Sequence, residues 1–227
     1  MQKENNKKAL ILLSGGIDSA TCLAYAKANG YQCYAISFDY NQRHKIELNY
    51  AKKIAKQFNV KEHIIVKLDM SKWGGSALTN KKIKVPKSGI RSGIPITYVP
   101  ARNLVFLSIA SAYAEAKKIN EIFIGVNSLD YSGYPDCRPQ FIKAFQKTVN
   151  LGTKVGIQDK KIKINTPLQK MTKYQIIKLA FSLGVNIDNT ISCYDPSPRG
   201  IPCGKCDSCE FRKAALLKIK LSSEIKK

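Results

Sequence analysis

The sequence has no long apolar run and no apolar segment at its start. Nothing apolar stands between Met1 and Ala9, whereas a secretory signal carries an apolar stretch near the N-terminus. No run approaches the roughly 20 apolar residues that a membrane-spanning helix needs. We therefore expect a cytoplasmic protein without a membrane partner, in which the seven cysteines are reduced thiols or metal ligands.

Acidic residues and arginine are also scarce. The chain has 16 Asp and Glu against 38 Lys and Arg, which gives a formal net charge of +22, yet only six of those 38 residues are arginine. Proteins that read nucleic acids favour arginine because its planar fork donates two parallel hydrogen bonds. The lysines are scattered along the chain, so a lysine-rich solvated surface explains the charge as well as an RNA partner does.

The segment SGGIDS, residues 14–19, follows an apolar stretch at residues 9–13 and precedes a predicted helix from Ala20 onward. The start of a helix offers unpaired N–H groups and the positive end of the helix dipole, and both attract phosphate. Two glycines let the backbone approach an anion closely, and two serine hydroxyls add donors. The Lys-Ser/Thr pair of the common P-loop is absent, and a plain serine–glycine turn is the alternative interpretation.

Four of the seven cysteines lie close together near the C-terminus, in the spacing C-x9-C-x2-C-x2-C: Cys193, Cys203, Cys206 and Cys209. Four thiolates at such short separations can close a tetrahedral site around Zn²⁺, and Gly204 allows the tight turn between two of them. We predict one structural zinc per chain. An iron–sulfur cluster is the alternative, although the Cys-Pro that continues a ferredoxin-type run is absent, and free thiols are a third interpretation.

Predicted strands and helices alternate along the chain. The strands are predicted at residues 9–13, 31–38, 62–68, 121–126 and 161–165, and the helices at residues 20–29, 45–58, 101–118, 141–149 and 172–183. This alternation predicts an α/β fold with a parallel sheet, helices on both faces, and ligands beyond the carboxyl ends of the strands. We expect a nucleotide domain over residues 1–190, a cysteine segment packed on it over residues 191–227, and a mobile excursion at residues 69–95.

Five runs of sequence resemble the family of 7-cyano-7-deazaguanine synthases, the nitrile-forming enzymes of the queuosine pathway. They are LSGGIDS (13–19), FDYNQRH (38–44), YVPARN (98–103), GVNSLDYSGYPDCR (125–138) and the cysteine-bearing run at 192–209. This family is part of the ATP pyrophosphatase, or PP-loop, superfamily. The resemblance implies a Rossmann-like fold of the adenine nucleotide alpha-hydrolase type. Two positions depart from the family pattern: Asn41 stands where glycine is usual, and Ile191 stands where an aromatic residue is usual.

The resemblance implies a ligase that forms C–N bonds. Its substrates would be 7-carboxy-7-deazaguanine, ammonia and ATP with Mg²⁺, and the acid would become an acyl-adenylate, then an amide, then a nitrile, with release of AMP and pyrophosphate. No nucleic acid would be needed, and the protein would form a homodimer. Such a reaction requires mainly the positioning of two polyanions and a planar base, together with the stabilisation of developing charge.

The resemblance also implies roles for individual residues. The residues with implied catalytic roles are Asp18, Ser19, Arg102 and Asp130. ATP contacts fall to Leu12, Leu13, Ser14, Gly15, Gly16, Ile17, Asp18, Ser19, Ala20, Thr21, Cys22, Ser37, Phe38 and Lys173. Contacts to the deazaguanine fall to Arg43, His44, Asp130, Tyr134, Asp136 and Arg138.

Several of these residues have a simpler alternative role. Asp18 suits the start of any helix, and Phe38 suits a hydrophobic core. Arg43 could form a surface ion pair, Arg102 could cap a neighbouring strand, and Lys173 could be solvated.

Two other functions compete with the ligase. A tRNA-modifying PP-loop synthetase of the thiouridine or lysidine type would share the loop and the basic charge, but it would need an additional RNA-binding domain. A zinc-stabilised nucleotide-binding module without catalytic activity would leave the GYPDCR run at residues 133–138 without a purpose.

Overall fold

The computed structural model describes residues 7–87, 93–127 and 133–224. Five parallel strands form one sheet: β1 (Lys8–Leu12), β2 (Gln32–Asp39), β3 (His63–Lys67), β4 (Glu121–Phe123) and β5 (Lys163–Asn165). Their order across the sheet is β3-β2-β1-β4-β5. The predicted α/β fold with a parallel sheet is therefore confirmed.

Seven α-helices connect and cover the strands. They are α1 (Ile17–Ala28), α2 (Glu47–Gln57), α3 (Arg102–Ala116), α4 (Pro139–Leu151), α5 (Lys154–Ile157), α6 (Lys173–Ser182) and α7 (Asp207–Glu224) among the described residues. Local sequence accounts for both ends of α6. Thr172 and Gln175 form a capping box at its start, and Gly184 follows its end with a φ of 72°, a left-handed conformation that glycine adopts readily after a helix.

The sheet is buried on both faces because neighbouring residues of a strand point to opposite sides. In β1, Leu10 and Leu12 pack into the hydrophobic cluster that includes side chains of α3 and α4. Ala9 and Ile11 pack into the opposite cluster, to which α1, α2, α6 and α7 contribute. The central strand β1 is consequently a nearly continuous apolar run, whereas the edge strand β5 has one apolar residue, Ile164.

The C-terminal helix α7 is absent from the sequence-based prediction. Ala215 is buried in the same cluster as α1 and α6, and Leu216 and Ile219 pack against that cluster. The segment after Cys209 is thus continuous with the core of the sheet and its helices. Among the described residues, no helix combines the length and apolar character that crossing a membrane requires.

The irregular stretch at residues 69–95 has neither helix nor strand in its described part, as predicted. It is not, however, a loose excursion, because several of its side chains are almost completely buried: Met70, Ala77, Leu78 and Val85. The prediction of mobility assumed that a stretch rich in Gly, Lys and Pro has nothing to bury. These four apolar residues instead pack into two of the hydrophobic clusters of the protein.

The order of the strands determines where a ligand can bind. The chain proceeds from β1 outward to β2 and β3, then returns to place β4 on the other side of β1. The connections after β1 and β4 therefore leave the sheet in opposite directions, which opens a crevice at their carboxyl ends.

Candidate active site

A cavity of about 290 Å³ lies at this crevice, beyond the carboxyl ends of β1, β2 and β4. Its walls come from the loop after β1, the end of β2, the starts of α3 and α6, residues 124–127, residues 191–194 and the first turns of α7. The order of motifs along the chain predicts that residues 14–19, 39–40 and 127–130 converge at this edge of the sheet. Most of the loop, Tyr40 and Asn127 line the cavity, Asp39 does not, and residues 128–130 lie outside the described residues.

Hydrogen bonds hold the loop after β1 in one shape. The Ser14 hydroxyl accepts from the backbone N–H of Gly16 at 3.2 Å and lies 3.1 Å from the Ser19 hydroxyl. Ser19 Oγ donates to the Gly16 carbonyl at 3.0 Å and accepts from the Ser14 N–H at 3.1 Å. The loop thus holds both serines at the start of α1, where backbone N–H groups favour an anion.

Two glycines allow other backbone segments to approach this loop. Gly15 has a φ of +90°, and a Cβ there would lie 2.2 Å from the carbonyl oxygen of Glu47. A Cβ on Gly125, just after β4, would lie 2.9 Å from the carbonyl carbon of Asp18. Only glycine fits at either position, so α2 and the end of β4 both pack directly against the loop.

Asp18 and Lys173 form an ion pair across the cavity wall. Lys173 Nζ lies 2.7 and 2.8 Å from the two carboxylate oxygens of Asp18, so both oxygens accept from one ammonium group. The side chains are 29% and 18% exposed, respectively, and both line the cavity. The side chain of Lys173, which was predicted to reach phosphate, thus extends from the start of α6 to the start of α1.

The end of β2 contributes an aromatic wall. Phe38 lines the cavity and stacks on Phe106, with ring centroids 4.0 Å apart and planes 8° apart. Ser37, which was grouped with Phe38 as an ATP contact, has its side chain on the opposite face of the sheet. Its hydroxyl donates to the Leu13 carbonyl and lies 2.7 Å from His63 Nε2, so its side chain does not line the cavity.

Arg102, the first residue of α3, faces the cavity together with Tyr40 and Tyr134. Its Nη1 lies 3.5 Å from the Tyr40 hydroxyl. The preceding residue, Ala101, has a left-handed φ of 54°, which is unusual for a residue with a Cβ. This conformation turns the chain sharply into α3 within the turn at residues 99–102, where the Arg102 N–H donates to the Val99 carbonyl at 3.1 Å.

Asp136 is buried beside the start of α3 and does not line the cavity. Its Oδ2 accepts from the backbone N–H of Asn103 at 2.8 Å, as a capping acid would. The Asn103 side chain donates to the Asp136 carbonyl and to the sulfur of Cys137. Asp136 therefore shapes the cavity through Asn103, which lines it, and the predicted direct contact with substrate has no support in this geometry.

Three polar side chains lie beside the loop: Gln42 and His44 are buried, and Glu47 is half-buried. Glu47 was not among the predicted site residues. Gln42 donates to Glu47 Oε1 at 2.8 Å, and His44 Nε2 lies 3.4 Å from Glu47 Oε2. Burial lowers the pKa of His44 to about 3, with help from the charges of Arg102 and Arg43. Burial raises the pKa of Glu47 to about 7, although the Gln42 hydrogen bond and Arg102 oppose the shift.

Arg43 does not face the cavity, contrary to its predicted contact with substrate. Its guanidinium donates to the backbone carbonyls of Lys81 and Ile83 at 3.1 and 2.9 Å, and it pairs with Asp195 at 3.4 Å. Carbonyl oxygens of an irregular segment lack strand partners, and a guanidinium with five N–H donors satisfies several at once. Arg43 thus connects the irregular stretch at residues 69–95 to Asp195 of the cysteine segment.

Other predicted residues also fall outside the cavity wall. Ala20, Thr21 and Cys22 are completely buried in α1, and the Thr21 hydroxyl donates to the Ile17 carbonyl. Arg138 is exposed just before α4 and does not line the cavity. Asp130 lies outside the described residues.

The four predicted cysteines come together. Their sulfur atoms all lie within 4.8 Å of one another. A tetrahedron with metal–sulfur bonds of about 2.3 Å has sulfur–sulfur edges of about 3.8 Å, so the four sulfurs fit one metal ion. The backbone N–H groups of Cys203 and Asp195 donate to Cys193 Sγ at 3.2 and 3.4 Å, which supports a thiolate there.

The cysteine segment also forms part of the cavity. Ser192 and Tyr194 flank Cys193, and Ser208 and Phe211 lie in the first turns of α7; all four line the cavity. Gly204 has a φ of 71°, which confirms the tight turn expected between Cys203 and Cys206. The cysteine cluster and this wall of the cavity therefore belong to one segment of the chain.

The sequence profile of the family described as "Queuosine biosynthesis protein QueC" matches residues 8–220 of this chain. A relative from Saccharophagus degradans, named 7-cyano-7-deazaguanine synthase, is 54% identical over 209 residues, which span 92% of this chain and 92% of the relative.

Solved structures share the fold at low sequence identity. NMN synthetase from Francisella tularensis aligns with a TM-score of 0.52 at 18% identity, over 91% of this chain and 72% of that chain. A 4-thiouridine synthetase, solved as an RNA complex with bound ATP, aligns with a TM-score of 0.50 at 17% identity, over 92% of this chain and 53% of that chain. These two likenesses concern the fold alone.

Proposed function

Because this chain belongs to the QueC family of queuosine biosynthesis proteins, we propose that it is a C–N-bond-forming ligase that converts 7-carboxy-7-deazaguanine and ammonia into 7-cyano-7-deazaguanine. ATP activates the carboxylate as an acyl-adenylate, and ammonia displaces AMP to give an amide. A second ATP activates the amide oxygen, and the loss of AMP leaves the nitrile. A carboxylate is a poor electrophile, so this activation is required before nitrogen can attack.

The observation that carries this proposal is the placement of the loop and Arg102 in one cavity. The loop at residues 14–19 offers hydroxyl and N–H donors at the start of α1, which suit pyrophosphate. Arg102 is a cation in the same cavity, where negative charge develops as AMP leaves. Phe38 offers an apolar face for a flat base.

The remaining residues of the cavity would order these groups. Lys173, already paired with Asp18, would supply a positive charge near the phosphates, and Asp18 would hold that ammonium in place. Tyr134, whose hydroxyl lies 2.9 Å from the Thr97 hydroxyl, would contact the deazaguanine. We expect Asp18→Ala and Ser19→Ala to lower turnover more than ATP affinity, because contacts to the leaving group strengthen in the transition state. Wild-type AMP formation in both variants would contradict the assignment of the loop.

We infer that the four cysteines hold one structural Zn²⁺ per chain and that Mg²⁺ accompanies ATP. Four sulfur ligands complete a tetrahedral coordination sphere and leave no position for substrate, which is typical of structural sites. Zinc bound there would order residues 191–194, and through them the cavity wall. An iron–sulfur cluster would be recognised by its visible absorbance.

We further propose that the enzyme works in the cytoplasm as a homodimer. No disulfide joins any of the seven cysteines in the part of the chain that the structure describes, which suits a reducing compartment. Exposed apolar side chains on the neighbouring helices α6 and α7 support self-association: Phe181, Leu217 and Leu221. Light scattering of the wild type and of Leu217→Glu tests this, because the charge should shift a dimer to monomer.

The decisive experiment is mass spectrometry of the products formed from ATP, Mg²⁺, ammonium and 7-carboxy-7-deazaguanine. The nitrile should form without any RNA, and AMP release should depend on the carboxylic acid. A tRNA-modifying synthetase, the competing function, shares the fold but would release AMP only when tRNA is present. The absence of nitrile, or a requirement for tRNA, would overturn the proposed function.

A further inference from the structure

The proposed reaction requires a proton acceptor beside the reacting nitrogen. Ammonia has three hydrogens, the amide nitrogen keeps two and the nitrile nitrogen keeps none, so the nitrogen gives up protons in both half-reactions. In the first, the nitrogen lone pair attacks the acyl carbon, the bond from that carbon to the bridging oxygen breaks, and AMP leaves with the electron pair. The attacking nitrogen carries a positive charge until it loses a proton.

Glu47 is placed to receive that proton. It is the first residue of α2, its side chain is 12% exposed, and it lines the cavity. Its own backbone packs against Gly15 of the loop proposed to hold pyrophosphate. In an acyl-adenylate a single oxygen separates the acyl carbon from the α-phosphorus, so the reacting carbon must lie close to this loop.

The neighbours of Glu47 hold its carboxylate without neutralising it. Gln42 donates to Oε1 at 2.8 Å, and its own amide is fixed because it also bonds the backbone of Phe38 and Tyr40. His44, 3.4 Å from Oε2, is neutral because burial depresses its pKa to about 3. A carboxylate held by an amide and a neutral imidazole remains able to accept a proton.

Other cavity groups are unsuited to this task. The described lining residues include two carboxylates, Glu47 and Asp18, and both oxygens of Asp18 accept from Lys173. Burial raises the pKa of Cys137 to about 12 and raises that of Tyr40, so both keep their protons at neutral pH.

We propose that Glu47 is the general base that accepts a proton from the nitrogen during amide formation. Protonated Glu47 then returns the proton to solvent before the next turnover. This inference rests on the proposed function and adds a catalytic residue to it. The raised pKa of Glu47, about 7, agrees with this role, because a base that titrates near the working pH transfers protons most efficiently.

The test compares two nucleophiles in Glu47→Gln, an isosteric change that keeps an oxygen acceptor for Gln42. Hydroxylamine is largely unprotonated at neutral pH and attacks activated acyl groups readily, so the one proton that its nitrogen loses can pass to solvent. Ammonium must lose one proton before it attacks and another afterwards. With ATP, Mg²⁺ and 7-carboxy-7-deazaguanine, we expect amide plus nitrile to form about 100-fold more slowly or worse in the variant. Hydroxamate formation should fall by less than about tenfold, because general-base catalysis is not needed there.

Glu62→Gln is the matched control, since that carboxylate lies on the surface, paired with Lys117 and away from the cavity. Glu47→Asp keeps a carboxylate and should form amide plus nitrile faster than Glu47→Gln does. This second variant keeps the test informative if Glu47→Gln folds poorly. Equal losses with both nucleophiles, or wild-type amination by Glu47→Gln, would overturn the assignment of Glu47. A wild-type enzyme that forms neither nitrile nor hydroxamate would instead contradict the proposed function itself.

Discussion

Among single residues, Gly15 sets the distance between the phosphate loop and α2. Its φ of +90° costs an alanine about 1 kcal/mol, and the added Cβ would also lie 2.2 Å from the Glu47 carbonyl. We expect Gly15→Ala to lower the free energy of unfolding by about 3 kcal/mol. It should also impair AMP formation, because α2 carries Glu47.

Gly30 provides a matched control for this prediction. Its φ is +79°, yet a Cβ there would meet nothing within 4 Å. Gly30→Ala should therefore show only the conformational cost, about 1 kcal/mol, and keep full activity. Urea unfolding of both variants measures the difference, and equal destabilisation would show that the contact with α2 is unimportant.

The sequence predicted the residues of local motifs better than those selected by tertiary packing. The SGG loop and the cysteine cluster each depend on close neighbours in sequence, and both formed as expected. Glu47 was missed because an acid at a helix start is explained by the helix dipole alone. Its burial comes from residues 40–44, which fold over it. The alternation of side chains along β2 was a usable signal that Ser37 and Phe38 cannot both face the cavity.

At the scale of elements, the cysteine cluster fixes the start of α7 and one wall of the cavity. Cys206 immediately precedes α7, and Cys209 lies in its first turn. We expect Cys206→Ser to lose the metal and, with it, the order of Ser192 and Tyr194, so that stability falls before any single chemical step is blocked.

Metal content measured by plasma mass spectrometry, together with thermal unfolding, checks this prediction. Cys33→Ala is the control, because Cys33 is a buried cysteine of β2 outside the cluster and its loss should leave about one zinc per chain. A metal-free Cys206→Ser that stays folded and fully active would contradict a structural role for the site.

Helix α7 shows where element prediction failed for a reason that could have been avoided. Phe211, Ala215 and Ile219 recur at intervals of four residues, which is the period of a buried helix face. From the sequence, residues 191–227 were predicted to pack on the nucleotide domain, but the prediction considered only their cysteines and assigned no helix to this segment. Packing against α1 and α6 makes it a helix of the core. The five strands, by contrast, were each found within a few residues, although β4 and β5 are only 3 residues long.

At the scale of the whole molecule, His44 and Glu47 make the free energy of unfolding depend on pH in opposite directions. His44 has a pKa near 3 in the folded protein, below its unfolded value of 6.5. The stability that the neutral His44 contributes is therefore lost as pH falls from 6.5 to 3. Glu47 has a folded pKa near 7, above its unfolded value of 4.5, so the native state holds a proton that the unfolded state releases. Its contribution is lost as pH rises from 4.5 to 7.

Glu47→Gln isolates the second effect, because every other titrating group of the highly basic chain is common to both proteins. The free energy of unfolding of the variant, minus that of the wild type, should rise by about 3 kcal/mol between pH 4.5 and 8, since each pKa unit corresponds to about 1.4 kcal/mol. Urea unfolding at intervals of half a pH unit measures this difference. Glu62→Gln should show no such rise, because Glu62 is exposed and Lys117 lowers its pKa. A flat difference for Glu47→Gln would mean that Glu47 ionises as readily in the folded protein as in the unfolded chain, which would remove the electrostatic support for its role as a base.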